Sequence, residues 1–178
     1  MDFGVISVRY ARALLKSATT MKCDKEVYAN MQTLAASYLN VPQLRFTIDN
    51  PMLAKDQKRK LLETACGNKL AELTKRFLQL VLDEGREKTL QLMANSFVAL
   101  YRQQKNITRG RLITATAVSP ETEAKMKRMV ETKTQGTVEF QTEVDPEIIG
   151  GFILEYDTYR MDASVKSKLN SILTELRK

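Results

Sequence analysis

Residues 144–156 read Val-Asp-Pro-Glu-Ile-Ile-Gly-Gly-Phe-Ile-Leu-Glu-Tyr, and this stretch decides the fold of the C-terminal part of the chain. Every second residue from 138 to 144 is apolar or threonine, which predicts a strand with one buried face. Pro146 has no N–H to donate to a sheet, so the strand should end at Asp145. Gly150 and Gly151 give the backbone freedom to turn, and residues 152–156 alternate again as a second strand.

A short helix is predicted to follow these strands. A turn should start at Asp157, and Asp162 or Ser164 is placed to cap the last helix. The apolar stripe of that helix consists of Val165, Leu169, Ile172 and Leu176. We expect the stripe to pack in the core of its own domain, because these positions repeat at helical spacing.

The segment before the opening stretch adds one strand and one helix. Residues 111–118 are rich in β-branched side chains, which favours a strand. Ser119-Pro120-Glu121 is typical of a helix start, with a capping hydroxyl, a proline in the first turn and an acid near the positive end of the helix dipole. That helix should reach about residue 134. Residues 106–178 therefore predict a smaller α+β domain, with a short β-sheet and two helices.

Residues 1–105 follow a helical period instead. About six amphipathic helices with short connections, and no convincing strand, predict an N-terminal six-helix bundle. Met31, Met52 and Met93 are expected to fill its core. The pattern changes near residues 105–109, so the predicted domains are 1–105 and 106–178.

Two helices of this bundle carry more apolar surface than one core contact needs. On the first, Tyr10 and Leu14 lie beside a second apolar row, and Ala13 adds a flat position that another helix could approach closely. On the fifth, Phe77 and Leu80 cover more than one side. Such faces indicate either deep burial or a surface kept for a partner, and both interpretations are open at this point.

The composition argues against an enzyme. The chain has no histidine, which removes the commonest general base and the usual nucleophile pairs. It also has no Gly-x-x-x-x-Gly-Lys or Gly-x-Gly-x-x-Gly phosphate loop. Cys23 and Cys66 are too isolated for a disulfide framework or a zinc site, and we expect them to be small buried apolar residues. We therefore predict no catalytic residues, no cofactor and no metal.

Charge and hydropathy restrict the location and the partners. No apolar run approaches the roughly 20 residues that span a bilayer, and the early Asp2 argues against a secretory signal, so we expect a bacterial protein kept in the cytoplasm. Of the net charge of +7, residues 1–105 hold 17 Lys/Arg against 10 Asp/Glu, whereas residues 106–178 hold 11 of each. This excess of positive charge in residues 1–105 favours two units with different partners. The partner of the basic unit could be nucleic acid, an acidic membrane surface or an acidic protein.

Several motifs stand in a fixed order along the chain. They are Arg9-Tyr-Ala-Arg-Ala-Leu14 in the first helix, Asn50-Pro51, Lys60, Phe77 through Glu84-Gly85-Arg86, then Asp145-Pro146, Ile149-Gly150-Gly151 and Asp162-x-Ser164 as a structural signature. Their order and spacing resemble the delta subunit of F-type ATP synthases, the family of the mitochondrial oligomycin-sensitivity-conferring protein. The resemblance covers nearly the whole chain.

The resemblance implies a non-catalytic stator subunit that links the catalytic alpha/beta head to the peripheral stalk and supports coupling of proton flow to ATP synthesis. It implies that the N-terminal domain binds N-terminal helical segments of alpha subunits and that the C-terminal domain binds the C-terminal helices of b subunits. The predicted alpha-binding residues are Tyr10, Ala13, Leu14, Phe77 and Leu80, with core packing as the alternative for Phe77. The protein is expected to be a monomer in the complex, held at the cytoplasmic side of the bacterial inner membrane only through that complex.

Two other functions are suggested by the residues themselves. The basic run Lys55–Lys60 would suit a basic helical adaptor that binds nucleic acid or another acidic partner, but the positive residues are scattered and no aromatic-basic alternation occurs, so we expect no nucleic-acid binding. The other is an enzyme that uses carboxylates, for which the candidates are Asp145, Glu147, Asp157 and Asp162. Strand ends, turns and helix caps give these carboxylates structural roles instead.

Overall fold

A computed structural model of the chain describes residues 3–134, 136–156 and 158–176. Asp157, the predicted start of a turn, lies outside the described residues. The chain divides into two compact units, Met1–Gln103 and Gln104–Lys178. The predicted architecture, a helical N-terminal part followed by a small sheet with helices, is confirmed.

The described residues of the N-terminal unit form six α-helices and one 3₁₀ turn. They are α1 (Phe3–Thr20), α2 (Asp24–Asn40), α3 (Pro42–Asp49), α4 (Lys55–Ala65), α5 (Glu72–Asp83), the 3₁₀ turn Glu87–Thr89 and α6 (Leu90–Lys105). Helical spacing accounts for the core: Val27, Met31 and Leu34 of α2 are fully buried, as are Leu90 and Phe97 of α6.

One buried polar side chain fixes the connection between α4 and α5. The Asn30 amide nitrogen donates to the carbonyl of Lys69 at 2.7 Å and to that of Cys66 at 3.4 Å. Its oxygen accepts from the Ala71 N–H at 3.0 Å and from the Thr74 hydroxyl at 3.1 Å. The amide thus uses all of its donors and acceptors, and it ties α2 to the start of α5.

The core predictions for single residues are confirmed in part. Met31 and Met93 are fully buried, but Met52 is 89% exposed, because it lies in the turn after Pro51, where its N–H donates to the Asn50 side chain at 2.9 Å. Cys66 is buried and Cys23 is half-buried. Burial, and then the nearby Glu63 carboxylate, raises the pKa of the Cys66 thiol to about 12, so this cysteine is inert at neutral pH.

The C-terminal unit is a mixed sheet with two helices in its described part. Its elements are β1 (Ile107–Thr114), α7 (Pro120–Thr134), β2 (Thr137–Val144), the 3₁₀ turn Pro146–Ile148, β3 (Phe152–Tyr156), β4 (Tyr159–Asp162) and α8 (Val165–Leu176). The strand order is β2-β1-β3-β4, with β1 parallel to β2 and antiparallel to β3. Leu112, Val138 and Leu154 pack with Val130 of α7, which places the core on one face of the sheet.

Two strand predictions were wrong in detail. The strand expected at residues 111–118 begins four residues earlier, because β1 starts directly after α6 and pairs with β2 from Ile107↔Thr137. It ends at Thr114, whose hydroxyl donates to the Thr116 carbonyl in a turn. The strand β4 was not predicted: all of its side chains are exposed, so it lacks the alternation that marks a buried face.

Of two apolar faces expected in the core, one is only partly buried and the other is exposed. The alternating side of β2 is buried at Val138, but Val144 is 49% exposed, because β2 is an edge strand and α7 covers only its beginning. No described residue of α8 is buried. Leu169 and Ile172 are 47% and 53% exposed, so the prediction that this stripe packs in its own core was wrong.

Candidate functional site

The first helix divides its apolar residues between two faces. Ala11, Leu14, Leu15 and Ala18 are buried. Tyr10 is only half-buried and Ala13 is exposed, although both lie next to that row. The apolar face of α1 is therefore wider than the part that the unit itself covers.

The fifth helix repeats this arrangement. Phe77, Leu78 and Val81 are buried, whereas Leu80 remains 49% exposed. Gly85 follows α5 with a φ of 63°, a conformation that glycine adopts without a steric penalty. The chain turns there, and the Arg86 N–H donates to the Val81 carbonyl at 2.9 Å.

The two helices enclose an open groove of about 380 Å³. Its lining residues are Arg9, Tyr10, Ala13, Leu14 and Ser17 of α1 and Leu73, Arg76, Phe77 and Leu80 of α5. All five residues predicted for the alpha-binding surface lie in this lining. Phe77 is 7% exposed, so the alternative of core packing is confirmed for it, and its side chain also lines the groove.

Aromatic contacts hold Tyr10 in place. Its ring meets the Phe77 ring edge-on, with centroids 6.5 Å apart at 65°. The Arg86 guanidinium carbon lies 5.3 Å from the centroid of the Tyr10 ring, within the range of a cation–π contact. The predicted alpha-binding residues did not include Arg86 or the groove residues Arg9, Ser17, Leu73 and Arg76, although Arg9 and Arg86 belong to the motifs of the resemblance. Helical spacing from Tyr10 and Phe77 would have indicated most of the lining residues, whereas the position of Arg86 depends on the turn at Gly85.

The signature residues join three elements of the C-terminal unit. The N–H of Asp145 donates to the Thr114 carbonyl at 2.8 Å. The Asp145 carboxylate accepts from the Glu147 N–H at 3.0 Å and so caps the 3₁₀ turn that begins at Pro146. The carbonyl of Gly150 accepts from the Val165 N–H at 3.0 Å. The end of β2 and the start of α8 are thus linked through this segment.

The backbone at position 151 passes so close to Ala163 that only glycine fits there. This residue has a φ of 76°, and a Cβ at this position would collide with the carbonyl oxygen of Ala163. The two backbone segments can approach each other only because the side chain is absent.

Asp162 and Ser164 cap α8 together. The Ser164 hydroxyl accepts from the Ser167 N–H at 3.2 Å, and the Asp162 carboxylate accepts from the Ser164 N–H at 2.9 Å and from the Ser167 hydroxyl at 2.8 Å. Hydrogen bonds from Ser164, and then from Ser167, lower the pKa of Asp162 to about 2.

Three of the four candidate catalytic carboxylates have structural partners, and the fourth, Asp157, lies outside the described residues. Asp145 caps a 3₁₀ turn, Asp162 caps α8, and the exposed Glu147 lies 3.5 Å from the Lys166 ammonium. In the described ranges, no three His, Cys, Asp or Glu side chains are placed to hold a metal ion. The helices described here include none that is long and apolar enough to cross a membrane.

One lysine of the basic run at residues 55–60 is buried in a short ion pair. The Lys58 ammonium is buried and lies 2.8 Å from the Glu87 carboxylate. Burial would raise the pKa of Glu87, but the hydrogen bond from Lys58 and its positive charge outweigh that effect and hold the pKa below its usual value. Arg59 lies within 4 Å of Asp56 and Glu63. Lys58 is therefore not available to a nucleic-acid backbone, whereas the ion pairs of Arg59 are long and partly exposed and neutralise its charge only weakly.

Comparisons with known proteins agree over almost the full length. The sequence profile of the family described as ATP synthase delta (OSCP) subunit matches residues 6–176. A protein of Phocaeicola vulgatus named ATP synthase subunit delta is 46% identical over 173 residues, which are 97% of this chain and 94% of the relative. A protein of the same name from Parabacteroides distasonis is 41% identical over 176 residues, covering 99% and 98%.

A solved structure shares the fold. A chain of the cryo-EM structure of the Toxoplasma gondii mitochondrial ATP synthase hexamer superposes with a TM-score of 0.63 at 21% sequence identity. The superposition covers 97% of both chains, so both units described above have counterparts in it.

Proposed function

The chain belongs to the ATP synthase delta (OSCP) subunit family, and we propose that its α1–α5 groove binds the N-terminal helical segments of the ATP synthase alpha subunits. As a member of this family it is a non-catalytic stator subunit and a part of the ATP synthase complex. The observation that carries the proposal is the open apolar groove, whose lining includes Tyr10, Ala13, Leu14, Phe77 and Leu80.

The geometry of the groove suits a helix. An amphipathic helix lays an apolar stripe into such a groove and leaves its polar face in water. The exposed Ala13 lets the backbone of a docked helix come close, and the half-exposed Leu80 offers apolar surface that docking would bury. Tyr10, already held by Phe77 and Arg86, supplies a preformed aromatic wall.

The C-terminal unit is proposed to bind the C-terminal helices of the b subunits. The support for this comes from α8, whose apolar residues Val165, Leu169, Ile172, Leu173 and Leu176 are 39–78% exposed. Monomeric proteins rarely leave such a stripe open, which supports a partner helix at this end of the chain. Residues 1–105 would thus contact the head and residues 106–178 the stalk.

These two contacts define the place of the subunit. The protein is associated with the membrane through the complex, and we propose the cytoplasmic side of the bacterial inner membrane as its location, with one copy per complex. The relatives of bacterial origin support this location.

A pull-down from membranes tests both contacts at once. Full-length tagged protein should recover the alpha and b subunits together. Ala13→Asp places a charge in the apolar groove, so alpha recovery should fall while b recovery is retained. Ile172→Asp places a charge on the exposed stripe of α8, so b recovery should fall while alpha recovery is retained.

Matched controls separate docking from folding. Ala29→Asp adds the same charge at an exposed alanine of α2, and Thr174→Asp adds it on the opposite side of α8 from Ile172. Both controls should recover both subunits. Unchanged alpha recovery by the Ala13→Asp variant would refute the groove assignment, and unchanged b recovery by the Ile172→Asp variant would refute the α8 assignment.

A further inference from the structure

The α1–α5 groove has positive charge on both of its walls. Arg9 lies on α1 one turn before Ala13, and Arg76 lies on α5 one turn before Leu80; both line the groove. None of the described residues in the lining carries a carboxyl group. Lys16, which is seven residues after Arg9 and exposed, continues the positive edge along the same side of α1.

The charges on these walls are poorly compensated within the protein. Arg9 is exposed and takes part in no ion pair among the described residues. The Arg76 side chain is 71% exposed and lies 3.8 Å from Glu72, which is itself 66% exposed. A long ion pair at such exposure is screened by water and contributes little, so Arg76 remains available to a partner.

The sheet of the other unit shows the contrast. There Arg111 donates to Glu143 at 2.9 Å and also lies 3.7 Å from Glu155. That guanidinium is already neutralised by carboxylates of neighbouring strands. The two guanidinium groups that line the groove have no carboxylate partner as close as this among the described residues.

We infer that the helix held in this groove carries carboxylates on both sides of its apolar stripe, and that Arg9 and Arg76 select it by pairing with them. The inference rests on the proposed docking of alpha-subunit segments and specifies the chemistry that is recognised. A helix whose stripe faces the groove floor places its two flanking rows against the two walls. Acidic rows would meet a guanidinium on each wall, whereas basic rows would meet like charge on both.

Such ion pairs should increase the specificity for an acidic helix and the rate at which it associates. The rim is open to solvent, so each pair should contribute a few-fold in affinity, and the two together about tenfold. The attraction should weaken with salt, because the screening length falls from about 30 Å at 0.01 M to about 3 Å at 1 M.

Two synthetic peptides provide the test. Both have the same length and the same apolar helical stripe; one is flanked by glutamates and the other by lysines. Binding of each to the full-length protein is measured by calorimetry at both salt concentrations. The glutamate-flanked peptide should bind about tenfold more tightly at low salt, and the difference should shrink at high salt.

The double variant Arg9→Gln/Arg76→Gln should reduce this discrimination to a small remainder that comes from the net charge of the rest of the unit. A control, Lys25→Gln/Arg45→Gln, removes the same charge from exposed positions of the same unit outside the groove and should retain it. Equal binding of the two peptides by the wild-type protein, or unchanged discrimination in the double variant, would overturn the inference.

A third titration, with the alpha-subunit N-terminal peptide, keeps the two proposals distinguishable. Tight binding that depends on neither salt nor the two arginines would leave the docking proposal standing and refute charge selection. Failure of this peptide to compete with the glutamate-flanked one would refute alpha docking and support charge selection for another acidic helix.

Discussion

Asn30 shows how much a single buried side chain determines around the groove. Its four hydrogen bonds hold the residues that lead into α5, and α5 forms one wall of the groove. An asparagine inside an amphipathic helix is an unremarkable sequence feature, since most such residues are solvated. Its role depends on loop carbonyls about 40 positions away in the chain, which no local pattern reveals.

At the other end of the chain, Asp162 is a residue whose role has a measurable pH dependence. Its pKa is about 2 in the folded protein, against an ordinary value of 3.8, because Ser164 and Ser167 donate hydrogen bonds to the ionised carboxylate. A pKa below the unfolded value means that ionisation favours the folded state. This stabilisation is complete above about pH 4 and is lost as the pH falls from about 4 to about 2.

A carboxyl-carbon NMR titration tests this assignment. The wild-type resonance of Asp162 should titrate with a midpoint of about 2. Ser167→Ala removes one hydroxyl donor, so the midpoint should move up toward 3.8. Ser171→Ala is the control, since that hydroxyl donates to the Ser167 carbonyl and does not contact Asp162. A wild-type midpoint near the ordinary value would contradict the capping role.

At the scale of elements, helical periodicity predicted which residues share a face but not what covers it. The apolar rows of α2 and α6 are buried, as expected. The apolar row of α8 has the same period and is exposed. Helical periodicity shows only which side chains lie on the same face of one helix. Whether another element covers that face depends on the tertiary structure, so the burial of the face could not be predicted from the period.

Backbone pairing accounts for the strand that was missed. Residues 159–162 form β4 through hydrogen bonds with β3, in the register Ile153↔Asp162 to Tyr156↔Tyr159. Main-chain groups are the same in every residue, so an edge strand with no buried side chain leaves no periodic signal. The five groove residues were predictable because two helices showed surplus apolar surface and the resemblance indicated which helices face a partner.

The exposed stripe of α8 predicts a contrast in stability. Leu169→Ala or Ile172→Ala should change the free energy of unfolding by less than about 1 kcal/mol, because both side chains already face water. Leu154→Ala, at a residue that is 1% exposed in the sheet core, should lower it by about 3 kcal/mol. Denaturant unfolding followed by NMR cross-peaks of the C-terminal unit measures all three variants. A loss of about 3 kcal/mol at Leu169 would mean that the stripe belongs to the core.

At the scale of the whole molecule, the chain has two dissimilar exposed apolar surfaces, each of which we propose as a docking surface. The N-terminal unit contains the groove, and residues 1–105 hold the excess positive charge. The C-terminal unit contains the exposed apolar stripe of α8, and residues 106–178 have no net charge. Two sites on one chain raise the effective concentration of the second partner once the first is bound. A stator needs this property, because torque from rotation has to be resisted without any covalent connection between head and stalk.

If the subunit links head and stalk, releasing either contact breaks the link. We therefore expect a non-additive loss of the coupling between proton flow and ATP synthesis. In membrane vesicles whose only copy of this subunit is the variant, Ala13→Asp and Ile172→Asp should each reduce proton-driven ATP synthesis strongly. The double variant should be no worse than the more severe single variant, since the link between head and stalk is already broken. ATP hydrolysis by the head should persist in all three, because this subunit is non-catalytic.

The controls Ala29→Asp and Thr174→Asp should synthesise ATP normally. If the single variants instead caused partial losses that multiplied in the double variant, the two surfaces would act independently, and a bridging role would be excluded.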